Sequence, residues 1–316
     1  MALRPIQFIP PNTRIDFIGR RVYAYVFSAV LTLASVILFA VNGLNFGIDF
    51  RGGILIEVKT AAVADVSELR ETLGGLGLGE VQIQEFGAPD VVLIRIQRQD
   101  GDEAAQLAAI SRAKDALGAT AAEYRRTEFV GPKVGGELIE AATLAVVLSL
   151  LAIMAYVWFR FEWQFGVAAI IALAHDVVSI IGLFALTQHE FNLSTVAAVL
   201  TVAGYSINDT VVVFDRVREN LRRYKRMPMP ELLNGAINQT LSRTFMTSFS
   251  TLLALFALVA LGGPIIRDFS IAIIWGILIG TYSSVLVASP ILLIFSPPRG
   301  VAASDDEAEA ATASEG

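Results

Sequence analysis

Six runs of about 20 predominantly apolar residues occupy positions 22–41, 138–157, 165–187, 193–214, 244–261 and 269–295. A run of about that length is what an α-helix needs to cross the roughly 30 Å hydrocarbon core of a bilayer. Within that core every backbone donor and acceptor must be paired inside the segment, which leaves helices or closed barrels. The spacing therefore predicts a polytopic α-helical membrane protein with six transmembrane helices. Composition agrees: the apolar set with glycine is about 62% and charged residues 17%, where soluble domains have roughly 45–50% apolar. Such a balance excludes a disordered chain, a basic nucleic-acid-binding protein and most cytosolic enzymes. With no cysteine and two histidines among 316 residues, neither a thiolate nor a Cys- or His-rich metal site is available.

The first run follows Arg20 and Arg21 and could imitate a signal peptide. It exceeds the 7–15 residues of an h-region, and Ala40-Val41-Asn42 is a poor cleavage site, so it reads as a retained first span. Lys and Arg mark the cytoplasmic loops. Arg4, Arg14, Arg20 and Arg21 precede span one, Arg160 separates spans two and three, and Arg216, Arg218, Arg222, Arg223, Lys225 and Arg226 follow span four. These loops alternate, so both termini are expected in the cytoplasm: residues 1–21 as a short N-terminal segment and 296–316 as an acidic, disordered tail.

Residues 42–137 then lie outside, and there the hydrophobic period changes. Ile54, Ile56 and Val58 alternate as a strand after Gly52-Gly53. Asp65-Val66-Ser67-Glu68 resembles a capping box opening a helix that ends at Gly74-Gly75. The runs 81–86 and 91–97 flank Gly87-Ala88-Pro89-Asp90 as a hairpin, Leu107, Ile110 and Leu117 mark a second helix, and 123–130 is a last strand. The order β-α-β-β-α-β predicts a small ferredoxin-like α+β periplasmic domain. Its carboxylates are scattered among basic residues like those of a solvated surface.

Charged groups inside the spans carry the functional signal, because each costs at least about 2.5–3.5 kcal/mol near the bilayer centre. His175 and Asp176 fall in the middle of span three, Asp209 in the inner part of span four, Arg243 at the inner start of span five, and Asp268 at the start of span six. A carboxylate and a guanidinium on neighbouring helices suit a proton relay, since a change in their separation loads or releases a proton. Asp176 is a second relay candidate beside Asp209, Arg243 and Asp268; the competing readings are a static Asp209–Arg243 pair that fixes helix register, a His175 and Asp176 that merely hydrogen-bond across an interface, and an Asp268 solvated at the outer surface. Gly276 and Gly280 form a GxxxG packing motif. In the connection 215–243, a basic stretch is broken by Pro228 and Pro230. Leu232, Leu233, Ala236, Ile237, Thr240 and Leu241 then recur at helical spacing, which predicts an amphipathic interfacial helix.

Five segments together resemble the SecF family of bacterial protein-export subunits, within the resistance-nodulation-division (RND) superfamily. They are Gly47-Ile48-Asp49-Phe50-Arg51-Gly52-Gly53, Val130-Gly131-Pro132-Lys133-Val134-Gly135, the span-four motif from Gly204-Tyr205-Ser206-Ile207-Asn208-Asp209-Thr210 to Asp215-Arg216, Ser242-Arg243-Thr244, and Gly280-Thr281-Tyr282-Ser283-Ser284. The resemblance runs from about residue 10 to residue 296. It implies half of an RND-type transporter that pairs with SecD, joins the SecYEG channel and uses the proton-motive force to promote preprotein translocation and release in the cytoplasmic (inner) membrane of a bacterium. It extends the partner set to YajC and YidC. Asp209 and Arg243 match the family's coupling pair and Asp268 falls near a further acidic position, while an essential carboxylate belongs to SecD.

Neither a cofactor nor enzymatic activity is expected. The coupling ion is H⁺ or Na⁺, because Ser206, Asn208 and Thr210 beside Asp209 suit both. The alternative function is a self-sufficient RND-like transporter of lipids or small molecules. An intramembrane aspartyl protease built on Asp176 and Asp209 lacks the Tyr-Asp and Gly-x-Gly-Asp motifs, and no Walker A loop is present to bind ATP.

Overall fold

The computed structural model describes residues 10, 13–262 and 264–297. Arg4, the rest of the first nine residues, and the acidic stretch from Ser304 to Gly316 lie outside the described residues. Among the described residues, six helices are long and apolar enough to cross a membrane: α1 (Arg21–Asn42), α5 (Pro132–Arg160), α6 (Trp163–Thr187), α7 (Leu193–Arg223), α8 (Met229–Leu261) and a last span built from α9 (Pro264–Ser283), a π-helical turn and α10 (Ser289–Phe295). Between the first two stand β1 (Asn45–Phe46), α2 (Ile48–Arg51), β2 (Gly53–Thr60), α3 (Val66–Gly74), β3 (Val81–Phe86), β4 (Ala88–Ile96), α4 (Glu103–Leu117) and β5 (Ala121–Val130). A sixth strand, β6 (Glu190–Phe191), lies in the loop from α6 to α7 and pairs in parallel with β1.

The sheet domain has the expected β-α-β-β-α-β order, with strands arranged β3-β4-β2-β5 and antiparallel throughout. One face packs Ile54, Ile56, Val92, Ile94 and Ile96 against Leu69 and Leu73 of α3 and Ala109, Ala113 and Leu117 of α4. Asp65 caps α3 by accepting from the Ser67 and Glu68 amides. Two local expectations are corrected. The inward stripe of α4 is Gln106, Ala109, Ala113 and Leu117, and Leu107 is exposed, because the close approach of helix to sheet favours alanine over the larger side chain. The hairpin is tighter than 87–90: Phe86 pairs with Ala88 across Gly87, so Ala88, Pro89 and Asp90 belong to β4. Gly87 has φ +80°, which permits that turn.

In the membrane bundle α6, α7 and α9 are the buried spans, α1 and α8 are peripheral, and α5 leaves nearly its whole apolar length exposed. Small residues set the helix contacts, as expected where lipid removes the hydrophobic drive and close packing must hold helices together. A Cβ on Gly182 of α6 would meet the Ser35 backbone of α1 at 2.7 Å, and one on Gly276 of α9 would meet the two Val202 methyl carbons of α7 at 2.3 and 2.4 Å. Gly276→Ala should therefore lower stability by about 1–3 kcal/mol through overpacking, and adding Val202→Ala should restore most of it. Thermal unfolding of the single and double variants measures the coupling.

Helices α7 and α8, of 31 and 33 residues, are roughly 46–50 Å long at 1.5 Å per residue and outreach the bilayer core. The connection 215–243 is therefore mostly a helical hairpin extending both spans, turned at 224–228. The apolar face of its second arm packs onto protein instead of lipid: Leu232, Leu233, Ala236 and Ile237 are fully buried in a core shared with Phe165, Phe214 and Leu292. Asn234 on the same arm accepts from the Phe17 and Ile18 amides, fixing the segment before α1. Pro290 lacks an amide donor, and the preceding turn widens to the π form over Ser284–Ala288. The Ser289 hydroxyl donates to the Ser284 carbonyl at 2.8 Å.

Candidate functional site

Asp176 on α6 is the most enclosed carboxylate in the spans, with no exposed surface. Its Oδ2 accepts from the Ser206 hydroxyl of α7 at 2.5 Å and from the Ser283 hydroxyl of α9 at 2.7 Å. Its Oδ1 lies 3.0 Å from His175 Nδ1. Both oxygens are thus satisfied and three helices are tied together. Gly280 allows the approach, since a Cβ there would stand 3.1 Å from Ser206 Cβ. Ser283 is the last residue of α9 and directly precedes the π turn over Ser284–Ala288.

Asp209 differs. It lies one helical turn beyond Ser206 on the same face of α7, 3% exposed, and its Oδ2 has no hydrogen-bond partner among the described residues. The Thr244 hydroxyl of α8 is likewise buried and unpartnered. Arg243 forms no ion pair with Asp209, and its side chain is exposed on α8. A buried carboxylate oxygen without a partner carries an uncompensated desolvation cost, so this group, unlike Asp176, has an open coordination position for a proton or a small cation. Beside it, Ser248 of α8 and Thr281 of α9 share a hydrogen bond of 2.8 Å, and the Tyr205 hydroxyl approaches Ser248 at 3.5 Å. Thr210 is buried, whereas Gly204 and Asn208 face outward. Asp215 pairs with Arg160 at 2.7 Å and Arg216 with Glu219 at 2.8 Å, both beyond the buried site.

The other members of the motif set lie at the domain end. Asp49 on α2 accepts from the Leu193 amide at 3.0 Å, capping the first turn of α7, where Asn192 forms its own capping box. Gly52 and Gly53, at φ +69° and +119°, carry the chain from α2 into β2. Arg95 of β4 bridges to Glu190 of β6 at 2.6 Å and donates to the Asn45 side chain of β1 at 3.1 Å. This bridge was not anticipated from sequence, although an arginine on the sheet face turned away from α3 and α4 was a readable signal.

Asp268 is not part of the buried site. It lies 15 residues before Ser283 on the same helix, about 22 Å away along the axis, and pairs with His189 at 2.9 Å. That hydrogen bond holds the His189 imidazole above its ordinary pKa against the opposing effect of burial. The pair therefore stabilises the 188–192 loop fully below about pH 6.5 and loses that contribution as pH rises through the elevated value. Amide exchange in this loop should speed up over that window, and His189→Gln should remove the pH dependence. Among the described residues no cluster of three or more His, Asp or Glu side chains is placed to hold a metal.

The SecD/SecF C-terminal model of protein export membrane proteins matches residues 110–297, and the SecD/SecF GG motif matches residues 37–62. The protein translocase subunit SecF of Rickettsia bellii (strain OSU 85-389) is 46% identical over 299 residues, covering 94% of this chain and 98% of its own. That of Rickettsia rickettsii (strain Sheila Smith) is 46% identical over 298 residues, covering 93% and 96%. The crystal structure of SecDF, a translocon-associated membrane protein from Thermus thermophilus, aligns with a TM-score of 0.83 at 37% identity over 92% of this chain. A super-membrane-facing form of SecDF aligns with a TM-score of 0.68 at 36% identity over 99% of it. The chain spans only 40% and 42% of those two solved chains.

Proposed function

Because the chain belongs to the SecF family of protein translocase subunits, we propose that it acts as one half of a SecD–SecF assembly. Docked to the SecYEG channel, the assembly uses the proton-motive force to draw preproteins outward and release them. The observation that carries this reading is the contrast between the two buried carboxylates. Asp176 is fully hydrogen-bonded, while the buried Asp209 keeps an oxygen without a partner among the described residues.

An ion arriving at Asp209 weakens its attraction to Arg243 and shifts the balance between two arrangements of α7 and α8. Binding drives a change only if the two arrangements hold the ion with different affinity. Movement of α7 has a contiguous route to the sheet domain, because Asp49 holds the first amide of α7 and leads through Gly52-Gly53 into β2. The Arg95–Glu190 bridge is a second tie at the same end. Both termini on the cytoplasmic side put the sheet domain outside, where an emerging preprotein would meet it. The exposed Arg243 and Asn208 leave a polar stripe on α7 and α8 for the SecD half to cover.

The test is completion of precursor translocation in membranes depleted of this chain and then resupplied with it together with SecD. Resupply should restore a component of export that disappears when the proton gradient is collapsed. Full restoration that ignores the gradient overturns the coupling reading and leaves a purely structural role in the translocase. Arg95→Gln, which keeps a polar side chain but shortens it and removes the charge, should leave the sheet domain folded. It should raise amide exchange in the 45–46 and 190–191 strand pair at least threefold, since a partly buried pair that loses one partner leaves Glu190 uncompensated.

A further inference from the structure

Two cavities on the outer surface of the bundle lie end to end, and nothing in the export mechanism uses them. The first is a groove of about 300 Å³ between α5, α6 and α7, lined by apolar side chains such as Leu150, Met154 and Val157 of α5, Ile170 and Val177 of α6, and Ile207 of α7. The second, of about 450 Å³, is lined by Arg160, Asp215, Arg218, Glu219, Arg222 and Arg223. Ile207, Val211, Asp215, Arg218 and Arg222 recur along one stripe of α7 at helical spacing, and Arg160 follows Val157 by less than one turn of α5. The apolar groove and the arginine cavity therefore adjoin along one stripe of α7 and at the Val157–Arg160 end of α5.

We infer that this track binds one phospholipid with an anionic headgroup, its acyl chain in the α5–α6–α7 groove and its phosphate among Arg160, Arg218 and Arg222. The dimensions fit. Ile207 and Arg218 are eleven residues apart, about 16 Å along the helix, close to the roughly 15 Å depth of one leaflet. Trp158 and Trp163, 63% and 51% exposed, with the almost fully exposed Phe159, place this end of α5 and α6 at the membrane surface.

Charge selects the headgroup. Asp215 is already occupied by Arg160 at 2.7 Å and Glu219 by Arg216 at 2.8 Å. Arg218 donates to the Arg160 carbonyl at 3.2 Å and lies over the Phe161 ring, and Arg223 lies over Tyr224. Arg222 makes no ion pair or hydrogen bond among the described residues. Arg218, Arg222 and Arg223 thus present guanidinium groups with no carboxylate partner, a geometry suited to bidentate capture of a phosphodiester. Because α5 otherwise leaves its apolar length uncovered, a retained acyl chain also accounts for how that span is held beside the bundle. The inference rests on the chain crossing a membrane and not on the export reading.

The test is native mass spectrometry of the full-length chain released from vesicles containing equal amounts of phosphatidylglycerol and phosphatidylcholine. One phosphatidylglycerol should be retained preferentially. Arg218→Gln with Arg222→Gln should reduce that preference at least fivefold, since each basic residue near an anionic surface is worth about fivefold. Ile207→Trp should reduce retention of both lipids by filling the groove. The charge-matched Lys225→Gln with Arg226→Gln should leave the preference within twofold. Retention with no headgroup preference, a preference that survives the Arg218 and Arg222 changes, or an equal loss in the Lys225 and Arg226 variant would each overturn the site. Loss of the lipid when the chain is purified with SecD would also overturn it, assigning the groove to a partner helix.

Discussion

Asp209→Asn is expected to abolish the gradient-dependent component of export, at least tenfold, while leaving membrane level and co-purification with SecD unchanged. Asparagine matches the carboxylate in shape, so the packing at this position of α7 is kept and only the exchangeable charge is lost. Arg243→Leu should give the same loss, because it removes the charge that answers to Asp209. Asp176→Asn should behave differently. Its Oδ2 accepts from both Ser206 and Ser283 and its Oδ1 faces His175 Nδ1, so asparagine keeps a carbonyl oxygen on the two hydroxyls but exchanges charge-assisted hydrogen bonds for weaker neutral ones. The expected result is a stability loss of about 1–3 kcal/mol with the residual folded protein still responsive to the gradient. Translocation assays at matched protein level, paired with thermal unfolding, separate the two outcomes. Full export by the Asp209 variant would reduce that residue to packing and move the search to the SecD half. Repeating the assay with a sodium gradient alone distinguishes Na⁺ from H⁺ as the driving ion.

Gly53→Val is expected to unfold the sheet domain. Gly53 sits at φ +119°, and a Cβ there would lie 2.7 Å from the Ile96 carbonyl oxygen. Backbone in that region costs about 1–3 kcal/mol for a residue with a side chain, and forcing atoms into a packed contact costs about as much again. The collision is with β4 backbone in the centre of a four-stranded sheet, where little can yield. Against a total stability of about 5–15 kcal/mol for a typical domain, the loss is large. Gly52→Ala should be milder, because at φ +69° its Cβ would stand 3.1 Å from the Val130 carbonyl at the β5 edge. Limited proteolysis across residues 53–130 should rank the wild type above Gly52→Ala and Gly52→Ala above Gly53→Val in resistance. Equal resistance of all three would show that the glycine pair is retained for something other than backbone geometry.

Hydrophobic period, with the capping and turn residues, located the six spans and the β-α-β-β-α-β order. These are local properties: a bilayer demands a fixed apolar length, and a half-buried strand demands alternation. Charge placed in an apolar run singled out Asp176, Asp209 and Arg243 for the same reason, since each must offset a desolvation cost somewhere. Period was less informative where two environments share it. The arm 229–243 has the same apolar stripe whether it lies on lipid or on protein, and only its contact with Phe165, Phe214 and Leu292 decided for protein. The inward face of α4 was misassigned because size pointed to Leu107, whereas the distance between helix and sheet selected Ala109 and Ala113.

Chain order by itself thus determined which segments span and which residues carry the cost of buried charge. The tertiary structure decided which of those costs is compensated. Ser206 and Ser283 come from helices 30 and 107 residues away from Asp176, and Asp268 finds His189 at the far end of the bundle. Asp209 is left with an open oxygen. Hydrogen bonds form between groups that packing brings within about 3 Å. Which hydroxyl reaches which carboxylate therefore depends on where Gly276 and Gly280 let α9 approach α7, a property of the assembled helices that no single segment encodes.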